Sequence, residues 1–506
     1  MKSVNTLSSV PSASPLDAIP AVPDSGNAVP DTSKKTPKIW TVGTLTYTSG
    51  GLVVLFCWLL FGDFAWSMRD RSVGPMASWY LKNLGVSNLV FGLLVSTFPA
   101  AVTLVLGPII SVKSDRHRGK WGRRIPFLLV TTPMAACGMI GIAFTPYMAR
   151  WVHGFFPEAS ELLVAVACFG VFWAAFELAT TAGQAVFGGL INDVVPKEML
   201  GRFYGLFRAV SLIDGIIFNY WIMGKVPDHF TLILAIIGVF YGMAFMWVCF
   251  KVKEGRYPPP AVDTNVQQPG KEWPGAGDRR SRSAWKPAFH QGVFAGFGRG
   301  VRLYFRECFT NPYYVSVFVM LMSGGLAFMP VNTFAIPYAR SLEMSMDFYG
   351  KCTAATFLTS LCLAYFLGWL ADVFHPIRTC MVALIGYFFV TLFGWFFATT
   401  PERFAVAYVL HGVLAGCYYT SAASLGQRLY PHSRFAQFAS AAGILTSICT
   451  MGLGPLLGVV IDWTGMIYRY TFLAGGTLTL VALAAALYVY GKFMKLGGPK
   501  GYVAPE

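Results

Sequence analysis

Stretches of about twenty apolar residues, parted by short polar connections, recur along this chain from residue 46 to residue 492. About twenty residues is what a helix needs to cross ~30 Å of hydrocarbon. The pattern predicts six membrane helices over 46–82, 87–112, 125–147, 162–190, 200–224 and 230–252. A polar break follows from Lys253, and six more helices are predicted over 312–339, 346–371, 379–398, 404–425, 435–461 and 470–492. The first stretch exceeds a single span and holds Asp63, Arg69, Asp70 and Arg71, so part of it is expected to face an aqueous cavity. The expected fold is an all-α membrane protein with twelve transmembrane helices in two six-helix halves.

Composition agrees with this. Only 12% of the residues are charged and 55% are hydrophobic, against about 25% charged in ordinary soluble domains, and the mean hydropathy is +0.54. A net charge of +15 in a soluble protein would raise nucleic acid as a partner, but here the bases sit in alternate connections. With both termini on one side, that side holds 29 of the 39 Lys and Arg, and the other holds only Lys82, Arg150, Lys225, Arg340, Arg403 and Arg469. Such an excess marks the cytoplasmic side. The expectation is a multi-pass protein of the plasma (inner) membrane with both termini cytoplasmic, set in the lipid bilayer and without a nucleic-acid partner.

The densest basic segment lies between helices 2 and 3, where Ser114 to Arg124 carries the acid Asp115 and six bases counting His117. A shorter echo, from Gly368 through Asp372 to Arg378, recurs between helices 8 and 9. The repetition implies two related halves, 45–252 and 312–495. Residues 1–44, rich in Pro, Ser, Ala and Asp, are expected to be a disordered cytoplasmic tail, and 496–506 a second short tail. The linker 253–311 contains Pro258-Pro259-Pro260 and a basic run, Arg279 to Arg282. Over 289–309 apolar residues return at steps of three and four, predicting an amphipathic helix on the inner membrane surface. The ten cysteines are scattered singly without metal-ligand spacing, so neither a metal site nor a cofactor is expected.

Charged groups within spans are costly and are functional candidates by default. In helix 1, Asp63, Trp66 and Asp70 share a face. A carboxylate beside an aromatic ring suits a sugar, since the acid accepts hydroxyl hydrogen bonds and the ring covers the apolar face of the pyranose. Helix 4 places Glu177, Thr180, Thr181 and Gln184 at steps of three, four and seven. Glu177 is a candidate proton-coupling acid, with Arg208 of helix 5 as a partner or an inner-gate residue. Arg208, Ser211 and Asp214 form a further polar stripe. Asp115 is placed to accept hydrogen bonds at a helix N-terminus or from Arg202 and so to close the inner side.

These motifs resemble the major facilitator superfamily. Its gate-loop pattern is matched by Asp115-Arg116 and Gly122-Arg123-Arg124, with the weaker copy at Gly368 and Asp372. Asn192-Asp193-Val194-Val195-Pro196 followed by Gly201-Arg202-Phe203-Tyr204-Gly205 is similar to the connection between helices 4 and 5. The longer Ser114-Asp115-Arg116 to Pro126-Phe127 form and Gly62-Asp63-Phe64 resemble the sucrose-transporter branch and its glycoside–pentoside–hexuronide cation symporter relatives. The resemblance implies gating roles for Asp115, Arg116, Arg123, Arg124, Asp193, Arg202 and Asp372. It also implies a central cavity lined by helices 1, 4, 7 and 10, which adds Asn332 and Tyr418 to the substrate candidates Asp63, Trp66, Asp70 and Gln184, and His411 to the proton-coupling candidates Glu177 and Arg208. Sodium-coupled members carry two aspartates in helix 2 before a proline. This chain has Thr103 and Gly107 before Pro108, which favours protons, or plain facilitation, over sodium.

The implied function is alternating-access transport of a small hydrophilic solute, a sugar or glycoside, with H+ as coupling ion. An efflux antiporter for amphipathic compounds is the alternative, and a non-transporting membrane receptor a third reading. No P-loop, nucleophile elbow or dinucleotide fingerprint appears, so an enzyme is not expected.

Overall fold

The computed structural model describes residues 39–257, 304–431 and 434–505, with Asp372, Ala436 and Lys500 described by backbone alone. The tail before residue 39, the proline and basic runs of the linker and most of the predicted 289–309 helix lie outside the described residues. The last part of that helix, 304–309, is helical.

Local sequence sets the helix boundaries. Helix α1 is Ser49–Asn83, whose N-cap Thr48 accepts the Gly51 N–H at 3.2 Å. Helix α2 is Asn88–Arg116, interrupted by a π-helical turn at Leu93–Thr97. Helix α3 is Ile125–His153 and α4 is Glu161–Val194, capped by Ser160. Helix α5, Leu200–Ile217, runs through a second π-helical turn, Phe218–Ile222, into α6, Val226–Lys251. After the linker come α7 Pro312–Ser341, α8 Met346–Phe374, α9 Pro376–Phe397, α10 Pro401–Ala422, α11 Phe435–Trp463 and α12 Tyr470–Lys495. Proline opens α3, α6, α7, α9 and α10, where its missing N–H has no helical partner to lose.

By length and apolar composition ten helices among the described residues qualify as membrane spans, one of them the 52-residue stretch Leu200–Lys251. Its length of about 78 Å is more than twice the hydrocarbon thickness, and a 3-10 turn at Met223–Lys225 and a non-helical His229 divide it in two. Helix α10, which carries Glu402, Arg403 and His411, supplies the twelfth. Helix α7 is broken between Leu326 and Met329, where the Tyr387 hydroxyl donates to the Ala327 carbonyl at 3.2 Å.

One expectation is corrected at the N-terminal side. Residues 40–47, in part assigned to the disordered tail, form an antiparallel hairpin, Trp40–Val42 with Leu45–Tyr47. Apolar and polar residues alternate on both strands and Gly43 takes φ +56° at the turn, the local signature of a tight hairpin.

Helices α1–α6 pack mainly among themselves, as do α7–α12. The halves meet where α2 packs on α11 and the end of α5 packs on α8. One hydrophobic core runs through the first half and continues into Phe334, Tyr349, Tyr408 and Ile461 of the second. A separate core, around Tyr314, Phe328 and Phe438, serves the rest of the second half. The halves are therefore joined at the end bearing Lys82 and Asp462 and have separate interiors toward the basic loop.

Candidate functional site

A cavity of about 640 Å³ lies between the halves, on the basic-loop side of their shared core. That is within the roughly 300–1,000 Å³ of small-molecule sites. A cleft of about 800 Å³ near Arg150, Glu161 and Asp228 sits among helix ends of the first half alone, off the path between the halves.

Helix α1 supplies Asp63, Trp66, Ser67, Asp70 and Arg71 to the central cavity. Asp63 is fully buried; its Oδ1 accepts the Ser67 hydroxyl at 3.2 Å and its Oδ2 has no hydrogen-bond partner. Trp66 is held from behind by Arg69, whose guanidinium lies 3.9 Å from the ring centroid and is itself fully buried. A desolvated cation–π contact of this kind is worth about 2 kcal/mol. Gly183 of α4 leaves room for the ring, since a Cβ there would stand 3.1 Å from the Trp66 indole. Arg71 reaches across the cavity, donating to the Ser211 hydroxyl at 3.0 Å with its guanidinium 4.9 Å from the Phe357 ring centroid.

The second half contributes Asn332 of α7 and His411 of α10, 3.0 Å apart at Nε2 and Oδ1. The other ring nitrogen of His411 meets the Tyr387 hydroxyl at 2.9 Å. With both nitrogens engaged and the ring fully buried, His411 ties α7, α9 and α10 together and orients the Asn332 amide.

Of the residues singled out from the sequence, Asp63, Trp66, Asp70, Gln184, Arg208, Asn332 and His411 line this cavity. Tyr418 does not. It is buried against Phe328, and its neighbour Tyr419 reaches the cavity, because one step along a helix turns a side chain by about 100°. Glu177 lies half-buried outside the lining, facing the charges of Arg69 and Asp70 rather than that of Arg208. The lining also includes Thr353, Thr356 and Ser360 of α8. They are not among the residues singled out from the sequence, although their steps of three, four and seven place them on one helix face.

At the basic loop, Asp193 accepts Arg123 Nε at 2.8 Å and a second bond from Arg123 Nη2, and it also accepts Arg124 Nε at 3.2 Å. This bidentate bonding holds the Arg123 guanidinium even more firmly protonated than usual. Arg124 also binds the Asp115 carboxylate and donates to the Ser114 hydroxyl at 2.6 Å. Asp115 thus bonds Arg124 rather than Arg202, which stands exposed at the start of α5, as Arg116 does at the end of α2. The side chain of Asp372 lies outside the described residues.

Glu254, just beyond α6, carried no signal in the sequence. Its carboxylate accepts the backbone N–H groups of Arg123, Arg124 and Ile125 at 2.9, 2.8 and 2.6 Å, capping α3 from 130 residues away. Glu254→Gln removes the charge and leaves a poorer acceptor. A loss of about 1–3 kcal/mol is expected, read as a lower midpoint of thermal unfolding in detergent.

Residues 47–285 match the family model described as MFS/sugar transport protein, and residues 315–501 match that of the Major Facilitator Superfamily. The chain belongs to the major facilitator superfamily. No curated protein sequence matches it. Its fold is similar to that of a bacterial homologue of the human lysosomal transporter Spinster in an inward-facing, unoccupied conformation, with 13% identity, TM-score 0.58 and coverage of 90% of this chain and 99% of that one. It is also similar to the inward-open xylose transporter XylE from E. coli (13%, TM-score 0.55, 87% and 94%) and to a peptide transporter, POT, in complex with sulfate (13%, 0.61, 90% and 97%). The helices of this superfamily member form two halves, in keeping with the expected twelve spans, and its central cavity lies at the junction of the halves.

Proposed function

We propose that this transporter carries a sugar or glycoside by alternating access, coupled to protons, within the sucrose-transporter and glycoside–pentoside–hexuronide branch. The observation that carries the reading is the cavity wall of α1, where the unpartnered Asp63 Oδ2 and the Trp66 ring occur together. A carboxylate oxygen accepts a hydroxyl proton, and an aromatic face covers the C–H face of a pyranose. Gln184, Asn332 and Arg71 add amide and guanidinium partners around the same space. The description of the matching first-half family model, and the xylose carried by one structural neighbour, support the same class.

Glu177 is the coupling acid in this reading, and Arg69 connects it to the solute site. The guanidinium lies against Trp66 and is within electrostatic reach of Glu177. Loss or gain of the Glu177 charge therefore alters the field under the sugar-facing ring. The basic loop, both termini and the Asp115–Arg124–Asp193 cluster belong on the cytoplasmic side by the distribution of Lys and Arg. The cavity then faces the cytoplasm.

The test is uptake of a panel of radiolabelled mono- and disaccharides into proteoliposomes, with and without an inwardly acidifying pH gradient. Accumulation of at least one sugar that depends on the gradient is expected. Uptake of no sugar in the panel, alongside export of amphipathic cations, would replace this reading with the antiporter one.

A further inference from the structure

The halves are joined at the end away from the basic loop by a polar contact that the cavity does not require. Asp462, near the C-terminal end of α11, accepts Asn88 N at 3.0 Å and Asn88 Nδ2 at 2.7 Å through Oδ1, and Leu89 N at 3.0 Å through Oδ2. Asn88 and Leu89 open the 29-residue helix α2, and the first N–H groups of a helix have no partner within it. Ser87 takes the next one, from Val90, at 3.3 Å. The first turn of α2 is thus capped jointly by its own serine and by a carboxylate from the opposite half. The Asn88 side-chain oxygen in turn accepts Lys82 Nζ at 2.5 Å, from the first half, and the Tyr468 hydroxyl at 2.9 Å, from the second.

A second set of bonds lies deeper along the same seam. Pro455 in α11 has no N–H, so the Met451 carbonyl four residues earlier loses its helical donor. Thr97, in the π-helical turn of α2, donates its hydroxyl to that carbonyl at 2.6 Å, and Ser96 donates to Thr450 O at 3.1 Å. π-Helical turns of this kind concentrate at functional positions. The backbones touch because Gly458 has no side chain: a Cβ there would stand 2.2 Å from the Asn88 carbonyl.

We infer that Asp462, with Thr97 beneath it, is the latch that closes the Lys82 side of this transporter and biases it toward the state whose cavity faces the basic loop. The inference rests on the alternating-access reading but on no particular solute. Each of these cross-half bonds exists only while α2 and α11 are together, so their energy falls entirely on one side of the conformational equilibrium. The charged part sits at the helix ends, where water can take over its hydrogen bonds when the halves part. A latch built this way is reversible.

The experiment is hydrogen–deuterium exchange on the full-length protein in lipid nanodiscs, without solute. It follows peptides covering 86–97 and 448–462 at one end and 114–126 and 196–206 at the other. Asp462→Asn keeps the side-chain shape but removes the charge. It is expected to raise exchange roughly tenfold at the first pair and to lower it at the second, as closure moves to the opposite end. Thr97→Val should act in the same direction with a smaller change. A rise confined to 86–92 would make Asp462 only a local cap, and a rise in all four peptides would make it a general stabiliser. Either result, or no change, overturns the latch. Because no solute is present, failure of the sugar-uptake experiment leaves this result readable, and the reverse holds as well.

Discussion

Glu177→Gln is expected to abolish pH-driven uphill accumulation while leaving solute-for-solute exchange close to normal. Only a group that alternates between charged and neutral forms links a proton gradient to a solute gradient, and glutamine is fixed in the neutral form. Exchange requires no net proton release, so it survives. The position fits such a group: Glu177 is half-buried, outside the cavity lining, and lies within the electrostatic reach of Arg69. The fully buried Arg69 has two guanidinium nitrogens without hydrogen-bond partners. Burial of a cation without full compensation is costly, which makes the region sensitive to the charge on Glu177. Parallel measurement of counterflow and of gradient-driven uptake in the same proteoliposomes separates the two activities. Full accumulation by Glu177→Gln would pass the coupling role to Asp63, Asp70 or Asp214. Asp214 is fully buried, and neither of its carboxylate oxygens has a hydrogen-bond partner.

Asp63→Asn is expected to fail differently, weakening solute affinity in exchange and in net transport alike. The carboxylate keeps Oδ1 on Ser67 and leaves Oδ2 without a partner. A hydrogen bond from a sugar hydroxyl to a charged acceptor contributes about 1.5–3 kcal/mol, so the loss corresponds to roughly a tenfold to hundredfold rise in Kd. Binding measured by calorimetry or by quenching of tryptophan fluorescence checks this directly, independently of turnover. Unchanged affinity together with lost transport would make Asp63 a coupling or structural group instead.

The helices were legible because each of their signals is local. Apolar length, the Ser and Thr caps and the prolines at helix starts can be read within about thirty consecutive residues, and so could the polar stripes of α1, α4 and α5. The hairpin at 40–47 is hard to read although its signal is just as local. Its three-residue strands are too short to stand out from the Pro- and Ser-rich segment before them, although their alternation is plain once the turn at Gly43 is located.

Partner choice was harder to read. Asp115 was expected to bond a helix N-terminus or Arg202, yet its carboxylate binds Arg124, while Asp193 gathers Arg123 and Arg124 together. Tyr418 and Tyr419 differ by a single helical step, and the rotation of α10 in the bundle exposes the second to the cavity. The amino-acid pattern alone determined the membrane class, the two-half helical arrangement, the basic side and the face of α1 that carries Asp63, Trp66 and Asp70, because these depend on solvation and on the 3.6-residue repeat. Only the tertiary structure decided that Glu254 caps α3, that Arg69 backs Trp66 and that Asp462 caps α2. Contacts between residues up to 380 positions apart are set by how the helices pack and rotate against one another, and the local pattern carries no record of that.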